Sequence, residues 1–226
     1  MDSFLAAWRP RFIAYLEAHP HNDAAHDLHH FHRVWKRCRL LNREEGSIAD
    51  ERVLLAAAYF HDLISLPKNH PDRSRSSVLS AEAATRLLQE KFTDFPAGLI
   101  PEVAHAIEAH SFSAGIPPRT PEARILQDAD RMEALGAIGI ARCFYTAGRL
   151  GGQLFHPGDL HGTHRPLDDT AYALDHFPLK LLRLPGQMQT AAGRRMAASE
   201  AAFLELFLRK LEEEAMDGGG EDGIGN

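Results

Sequence analysis

Apolar residues recur every three or four positions along most of the chain, which is the spacing of one face of an α-helix. The first such stretch covers residues 2–19 and ends near Pro20. Its apolar positions are Phe4, Leu5, Trp8, Phe12, Tyr15 and Leu16. Alternating apolar and polar positions, which mark β-strands, are absent, and valine occurs only four times. The pattern therefore predicts an all-α fold.

The same spacing predicts about nine helices. Their expected bounds are 2–19, 23–45, 50–65, 77–91, 99–110, 121–135, 136–148, a group of short helices over 169–184, and 188–215. Residues 149–168 are rich in Gly and Pro and are expected to form a loop. We expect one domain over residues 1–215 and a disordered tail over residues 216–226, because the tail has no apolar periodicity.

Composition and charge argue against a nucleic-acid-binding protein and against a membrane protein. The chain has 226 residues, 44% of them apolar and 25% charged, as in ordinary globular domains. With a net charge of -6, the protein is not basic, as proteins that bind polymeric nucleic acid usually are. The longest apolar run, residues 54–60, is far shorter than the roughly 20 residues of a membrane span. There is no signal-peptide pattern, and the two cysteines lack C-x-x-C spacing, so we expect a cytoplasmic protein.

Histidines are concentrated near the start of the chain, where residues 24–34 read AAHDLHHFHRV. His26 and His30 form an H-D-x-x-H string that resembles the H-E-x-x-H helix of zinc peptidases. The peptidase interpretation is disfavoured, because aspartate is shorter than glutamate and the downstream histidine of metzincins is absent. Two interpretations of this stretch stay open: part of another metal site, or a histidine-rich surface without chemistry.

A second stretch places His61 and Asp62 directly after the apolar run of residues 54–60. A helix that is apolar on every side is a buried helix, and buried polar groups need partners. A metal ion is a partner for both side chains. A core histidine beside a capping aspartate is the alternative.

A third stretch, residues 123–142, contains Asp128 and Asp130 among apolar residues. Two positions apart on a helix, these carboxylates point to different faces. We expect one of them to be buried, and an isolated buried carboxylate needs a cation.

The three stretches together offer two imidazoles and two carboxylates, from His30, His61, Asp62 and Asp130. This mixed nitrogen and oxygen set suits a divalent Mn, Mg, Co, Ni, Fe or Zn ion. Four protein ligands leave coordination positions for water, which favours a catalytic metal over a structural one.

These residues form the pattern H…HD…D, and the chain resembles the HD-domain superfamily of metal-dependent phosphohydrolases. More closely, it is similar to the bacterial YedJ/YpgQ-type HD hydrolases over about residues 5–212. The matching strings are AAHDLHHFHRVW, FHDLISLPKNHP, AIEAHSFSAGI, ILQDADRMEALGAIGIAR, RPLDDTAYALDHFPLKLL and MQTAAGRR. The resemblance implies a helical bundle in which the four residues of the pattern bind the metal.

The resemblance further implies hydrolysis of a phosphate ester or anhydride by metal-activated water. Within this subfamily it implies cleavage of a nucleoside triphosphate to the monophosphate and pyrophosphate. The alternatives are a nucleotide phosphatase or phosphodiesterase, a di-iron HD oxygenase, and a non-catalytic nucleotide-binding module. The expected partner is a small phosphate or nucleotide, with no membrane and no polymeric nucleic acid. The sequence is compatible with a monomer or a homodimer.

Two residues are candidates for direct roles in catalysis. The resemblance places Asp62 beside the attacking water, and His110, at a predicted helix end, is expected to contact phosphate or that water. We expect His26, Asp27 and Asp128 to hold the ligands in place through hydrogen bonds.

A polyphosphate substrate needs local cations in a protein of net negative charge. Arg33 lies on the same predicted helix face as His30, although it could form a salt bridge to a nearby aspartate instead. Lys68 and Asn69 follow the HD pair in the string KNHP, and His176 and Lys180 lie in DHFPLKLL. We expect these residues to bind the substrate phosphates.

Overall fold

The structure, a computed structural model, describes residues 3–19, 28–66 and 70–217. Within these ranges no β-strand is present, only one isolated bridge between Gln153 and Tyr172, so the all-α prediction is confirmed. The same ranges contain nine α-helices: α1 (Ser3–Ala18), α2 (Leu28–Glu44), α3 (Glu51–Phe60), α4 (Ser76–Glu90), α5 (Ile100–His110), α6 (Pro121–Arg131), α7 (Gly136–Arg149), α8 (His176–Leu179) and α9 (Ala191–Asp217).

The chain divides into two compact units. Unit one comprises the residues up to Glu133 together with Met188–Gly193, and unit two comprises Ala134–Gln187 and the residues from Arg194 onward. Helices α1 to α6 and the first turn of α9 belong to unit one, while α7, α8 and the rest of α9 belong to unit two. Helix α9 runs to Asp217, two residues into the predicted disordered tail; for residues 218–226, which lie outside the described part of the chain, disorder remains a prediction.

Local signals in the sequence explain where the helices of unit one begin. Asp50 caps α3 by accepting a hydrogen bond from the backbone N–H of Arg52 at 2.8 Å. Thr120 caps α6 by accepting from the N–H of Ala123 at 3.2 Å, and Pro121 occupies the first helical position. Both arrangements satisfy backbone donors that a helix start leaves without intrahelical partners.

Two predicted helix ends are wrong, and hydrogen bonds explain both. Helix α3 ends at Phe60 rather than at residue 65, because the N–H of Ile64 donates to the Ser80 hydroxyl at 3.0 Å instead of continuing the helix. Helix α6 ends at Arg131, and a 3₁₀ turn carries the chain to Ala134. Gly136 then adopts a φ of 63°, a conformation that favours glycine, before α7 continues.

Unit one is built around α3, in which every residue from Val53 to Phe60 is buried, as the apolar run predicts. Helices α1, α2, α5 and α6 pack against it. One side of this core is an aromatic cluster, which comprises Trp8, Phe12, Phe60, Phe92 and Phe95. Its ring centroids lie as close as 4.7 Å, between Phe12 and Phe60, in the edge-to-face geometry that aromatic pairs prefer.

Unit two contains the predicted loop of residues 149–168, which the structure shows without helix after Arg149. Arg165 holds this segment by donating two hydrogen bonds, of 2.6 and 2.9 Å, to the buried carboxylate of Asp175. Phe144, Phe177 and Phe207 form an aromatic contact between α7, α8 and α9. Across the described residues, every helix is too short or too polar to cross a membrane.

Candidate metal centre

Three helices of unit one bring the four predicted ligands together. His30 lies in the first turn of α2, His61 and Asp62 follow the last residue of α3, and Asp130 lies in the last turn of α6. His30 Nε2 lies 3.1 Å from His61 Nε2, and each of these nitrogens lies 3.6 Å from Asp130 Oδ1. Residues separated by up to a hundred positions in the sequence therefore meet within a few ångströms.

Asp62 connects this group to a fifth residue, His110. Its Oδ2 lies 3.5 Å from His61 Nε2, and its Oδ1 lies 3.4 Å from the Nε2 of His110, which ends α5. The three imidazoles are buried, whereas the Asp62 and Asp130 side chains are 15% and 26% exposed. The two carboxylates therefore form the side of the cluster that solvent and small molecules can reach.

The hydrogen bonds of the imidazoles fit a metal site. His61 Nδ1 lies 3.0 Å from the carbonyl oxygen of Ala58, and His110 Nδ1 lies 2.6 Å from that of Ile107. A carbonyl oxygen only accepts, so each Nδ1 carries a proton and each Nε2 is the ring atom that faces the other candidate ligands.

The Nε2 atoms of His30 and His61, 3.1 Å apart, need either a proton or a metal ion between them, because two lone pairs at this distance repel each other. His30, His61 and Asp130 are close enough for a single ion, and so are His61, Asp62 and His110. The residues present therefore fit a divalent cation with nitrogen and oxygen ligands.

The pKa shifts of the clustered residues also indicate a site for positive charge. Burial lowers the pKa of His61, but the charges of Asp62 and Asp130 outweigh it and raise the pKa to about 9. Burial also raises the pKa of Asp130, but the hydrogen bond and charge of His61 hold that pKa well below its usual range. For His30, burial dominates and lowers the pKa. The cluster thus attracts positive charge, and without a metal a proton on His61 supplies it.

Glu133 is a residue of this region that the sequence analysis did not single out. Its carboxylate is buried and accepts a hydrogen bond from Arg33 Nε at 2.8 Å. The same carboxylate lies 3.4 Å from His30 Nδ1 and 3.4 Å from Arg37 Nε. Arg33 thus forms a salt bridge, but to Glu133 rather than to a nearby aspartate. The available signal was an acid one turn after Asp130, between apolar neighbours.

Asp128 has partners other than the ligands that we expected it to support. Its buried carboxylate accepts hydrogen bonds from Gln189 N at 2.7 Å, Thr190 N at 2.8 Å and Thr190 Oγ1 at 2.7 Å. A Cβ atom at Gly193 would lie 2.3 Å from Asp128 Oδ2, so this close approach requires glycine. Asp128 thus joins α6 to the start of α9 through Gln189, Thr190 and Gly193 of the string MQTAAGRR.

The remaining predicted residues are not part of the cluster that the structure describes. His26, Asp27, Lys68 and Asn69 lie outside the described residues, and their roles stay predictions.

His176 and Lys180 belong to unit two. The His176 Nδ1 lies 2.7 Å from an Asp169 carboxylate oxygen, and Lys180 is exposed. A substrate role for either residue also stays a prediction.

Comparison with known proteins identifies the family of the chain. Residues 27–135 match the family model of the HD domain, and this range contains all four candidate ligands. YpgQ of Bacillus subtilis is 35% identical over 196 residues, which is 85% of each chain.

Solved structures agree with this assignment. The structure of Bacillus subtilis YpgQ in complex with ADP matches with a TM-score of 0.69 and 26% identity, covering 98% of both chains. An HD-superfamily hydrolase from Bacillus thuringiensis matches with a TM-score of 0.70 and 28% identity, covering 92% of this chain and 97% of that one. The chain belongs to the HD-domain superfamily of metal-dependent phosphohydrolases, in the group that includes YpgQ.

Proposed function

We propose that this protein is a nucleotide pyrophosphohydrolase, which converts a nucleoside triphosphate to the monophosphate and pyrophosphate. The observation that carries the proposal is the convergence of His30, His61 and Asp130, with the Nε2 atoms of two imidazoles facing one carboxylate oxygen. The ADP complex of the related YpgQ supports a nucleotide as the substrate. Small phosphate compounds are therefore the ligands to test first.

His30, His61, Asp62 and Asp130 would hold the divalent ion. When bound, such an ion polarises phosphoryl oxygens and lowers the pKa of water, which is the chemistry that phosphoanhydride hydrolysis requires. Because the side chains of Asp62 and Asp130 are partly exposed, an ion held by them would be accessible to substrate and water.

Asp62 and His110 would handle the proton of the attacking water. Asp62 Oδ1 can accept a hydrogen bond from water, and His110 Nε2, 3.4 Å from that oxygen, can take up a proton beside it. The bond of His110 Nδ1 to the Ile107 carbonyl holds the ring in this orientation. Asp62 would therefore orient the water, and His110 would hold and return the proton.

Positive charge for the substrate phosphates would come from α2. Arg33 and Arg37 both contact the carboxylate of Glu133. The Arg33 side chain is 35% exposed, and its guanidinium can reach an anion in solvent while its Nε stays bound to Glu133. Lys68 and Asn69, which follow the HD pair in the sequence, are proposed as further phosphate ligands.

The experiment is a screen of purified protein with Mn, Mg, Co, Ni, Fe and Zn against nucleoside and deoxynucleoside triphosphates. Pyrophosphate and orthophosphate are measured separately, and the reaction is run in ¹⁸O-labelled water. We expect pyrophosphate as the first product, with the label in the monophosphate. The Asp130→Ala variant controls for contaminating phosphatases. Release of orthophosphate alone would make the protein a phosphatase, and tight binding without turnover would make it a binding module.

A second candidate, the di-iron HD oxygenase, is favoured by one observation. His61, Asp62 and His110 form a second group with ligand spacing. Both groups, however, use the same Nε2 of His61, because its Nδ1 is bonded to Ala58. Metal analysis separates the two candidates: one ion per chain supports the hydrolase, whereas two irons with visible absorption support the oxygenase.

A further inference from the structure

Glu133 contacts a candidate ligand and a candidate substrate residue with one carboxylate group. Its Oε2 lies 3.4 Å from His30 Nδ1 and 2.8 Å from Arg33 Nε. Its Oε1 lies 3.4 Å from Arg37 Nε. The carboxylate is buried, and all three partners lie in α2, about a hundred residues earlier in the chain.

The contact with His30 determines which ring nitrogen faces the other ligands. An ionised carboxylate only accepts hydrogen bonds, so it places the His30 proton on Nδ1. Nε2 then presents its lone pair toward His61 Nε2 and Asp130 Oδ1. Carbonyl oxygens do the same for His61 and His110, so among these three imidazoles His30 alone is oriented by a side chain.

The contact with Arg33 has a different consequence. The bond uses Nε, on the inner edge of the guanidinium, while the side chain remains 35% exposed. A guanidinium fixed at Nε keeps its outer edge in one direction, which lowers the entropy cost of binding an anion. Arg33 is therefore held by the same carboxylate that contacts the candidate ligand His30, while part of its side chain stays exposed to solvent.

We propose that Glu133 is a positioning residue that orients His30 for the metal and Arg33 for the substrate phosphate. The proposed role toward Arg33 rests on the proposed function, whereas the proposed role toward His30 requires only the metal site. The competing explanation is that Glu133 merely neutralises two arginines and contributes to folding.

The test compares Glu133→Gln with Glu122→Gln. Both positions are buried glutamates of α6 and the turn that follows it, but Glu122 accepts from the backbone N–H of Asp50, away from the ligands. We expect Glu133→Gln to weaken Mn²⁺ and Zn²⁺ binding by about 10- to 100-fold, the usual effect of losing a group that orients a metal ligand. Glu122→Gln should bind both metals as the wild type does.

A spectroscopic measurement tests the tautomer directly. In metal-free protein labelled with ¹⁵N-histidine, the His30 signals are assigned by their loss in His30→Gln. We expect the wild-type ring to carry its proton on Nδ1 and the Glu133→Gln ring to shift toward the Nε2 tautomer. If Glu133→Gln does not fold, Glu133→Asp keeps the charge with a shorter reach, and the metal and tautomer measurements are made on it.

The proposed role toward Arg33 is tested by equilibrium binding of a non-hydrolysable triphosphate, α,β-methylene-ATP, in the presence of Mn²⁺. We expect Arg33→Gln to weaken this binding about 10-fold and to leave metal affinity unchanged, as expected for loss of a charge-assisted phosphate contact. Glu133→Gln should weaken the binding even at saturating metal. Because this readout needs no turnover, failure of the proposed activity is distinguishable from failure of this inference.

Three outcomes would overturn the proposal. If Glu133→Gln melts at a lower temperature but keeps metal affinity and the His30 tautomer, Glu133 has only a structural role. If metal affinity falls without a change of tautomer, Glu133 does not act through the His30 proton. If Glu133→Gln binds the nucleotide at saturating metal as tightly as the wild type does, Glu133 does not orient Arg33 for the substrate phosphate.

Discussion

Phe60 and His61 are neighbours in the chain, yet they face regions of unit one that are stabilised in opposite ways. Phe60 belongs to the aromatic cluster, where it contacts Phe12 with ring centroids 4.7 Å apart. His61 belongs to the candidate metal centre, where its Nε2 lies 3.1 Å from another imidazole nitrogen. The first region needs no ligand, because burial of apolar rings is favourable by itself. The second buries polar groups whose complete satisfaction requires a cation.

Stability and chemistry are thus divided between two consecutive residues: Phe60 packs in the aromatic cluster, and His61 belongs to the candidate metal centre. Apolar burial around α3 supports the fold well enough for the end of the helix to carry polar groups that are costly to bury. Variants in the metal centre should therefore affect metal and activity more than folding, and variants in the aromatic cluster should do the reverse. Four predictions test this separation.

The largest expected effect is that of Asp130→Ala. Loss of the carboxylate that faces both His30 and His61 should lower activity by about 1,000-fold or more, equivalent to about 4 kcal/mol, with loss of bound metal. Metal content by mass spectrometry, turnover and circular dichroism check the prediction. Asp94→Ala removes an exposed carboxylate paired with Arg11 and serves as the control. Full metal content in Asp130→Ala would contradict the ligand assignment.

The next effect is that of Phe12→Ala in the aromatic cluster. Removing this fully buried ring should lower the free energy of unfolding by about 3–5 kcal/mol, measured by urea denaturation. Below the unfolding transition, metal affinity should stay within about twofold of wild type, because the aromatic cluster contributes none of the candidate ligands. Phe203→Ala, at an exposed ring of α9, is the matched control. A large loss of metal affinity in Phe12→Ala would show that the two regions are coupled.

Metal itself should stabilise the protein by a smaller amount. A divalent ion at 100 times its Kd raises the free energy of unfolding by about 2.7 kcal/mol if it binds only the folded state. Calorimetric melting with and without Mn²⁺ measures this effect. The stabilisation should persist in Phe12→Ala and disappear in Asp130→Ala. Equal stabilisation in both variants would place the ion outside the candidate metal centre.

The smallest effect concerns pH. The carboxylates of Asp62 and Asp130 raise the pKa of His61 to about 9 despite its burial, so the metal-free ring carries a proton at pH 7 that a metal must displace. Metal affinity should therefore fall as pH decreases below 9, by up to about 1.4 kcal/mol per pH unit. Calorimetric titration in buffers of different ionisation enthalpy should detect about one proton released per ion. A chelator of known proton release is the control, and constant affinity between pH 6 and 8 would contradict the prediction.

Much of the fold follows from the pattern of residues alone. The uninterrupted apolar run from Leu54 to Phe60 predicts the buried helix α3, and the capping residues Asp50 and Thr120 mark the starts of α3 and α6. The end of α3 could not be predicted, because it depends on a hydrogen bond from Ile64 to Ser80, which lies on another helix. Local propensity has no information about a partner that only packing brings near.

The candidate site was likewise predictable only in part. The H…HD…D pattern and the resemblance it carries named His30, His61, Asp62 and Asp130, and the structure brings these four residues together. Glu133 was missed because a single acid in a helix is ordinary, and its importance lies in contacts with His30 and Arg33. Those contacts span about a hundred residues and exist only after α2 and the turn after α6 pack together.

The sequence by itself determined the helical class, the buried α3 and the residue types available for a metal. Helical geometry also required Asp128 and Asp130 to point to different faces. Only the tertiary structure decided what each carboxylate meets: Asp130 faces two imidazoles, whereas Asp128 binds Gln189 and Thr190 at the start of α9. The physical reason is that periodicity fixes directions within one helix, while the neighbours in those directions are set by the packing of the others.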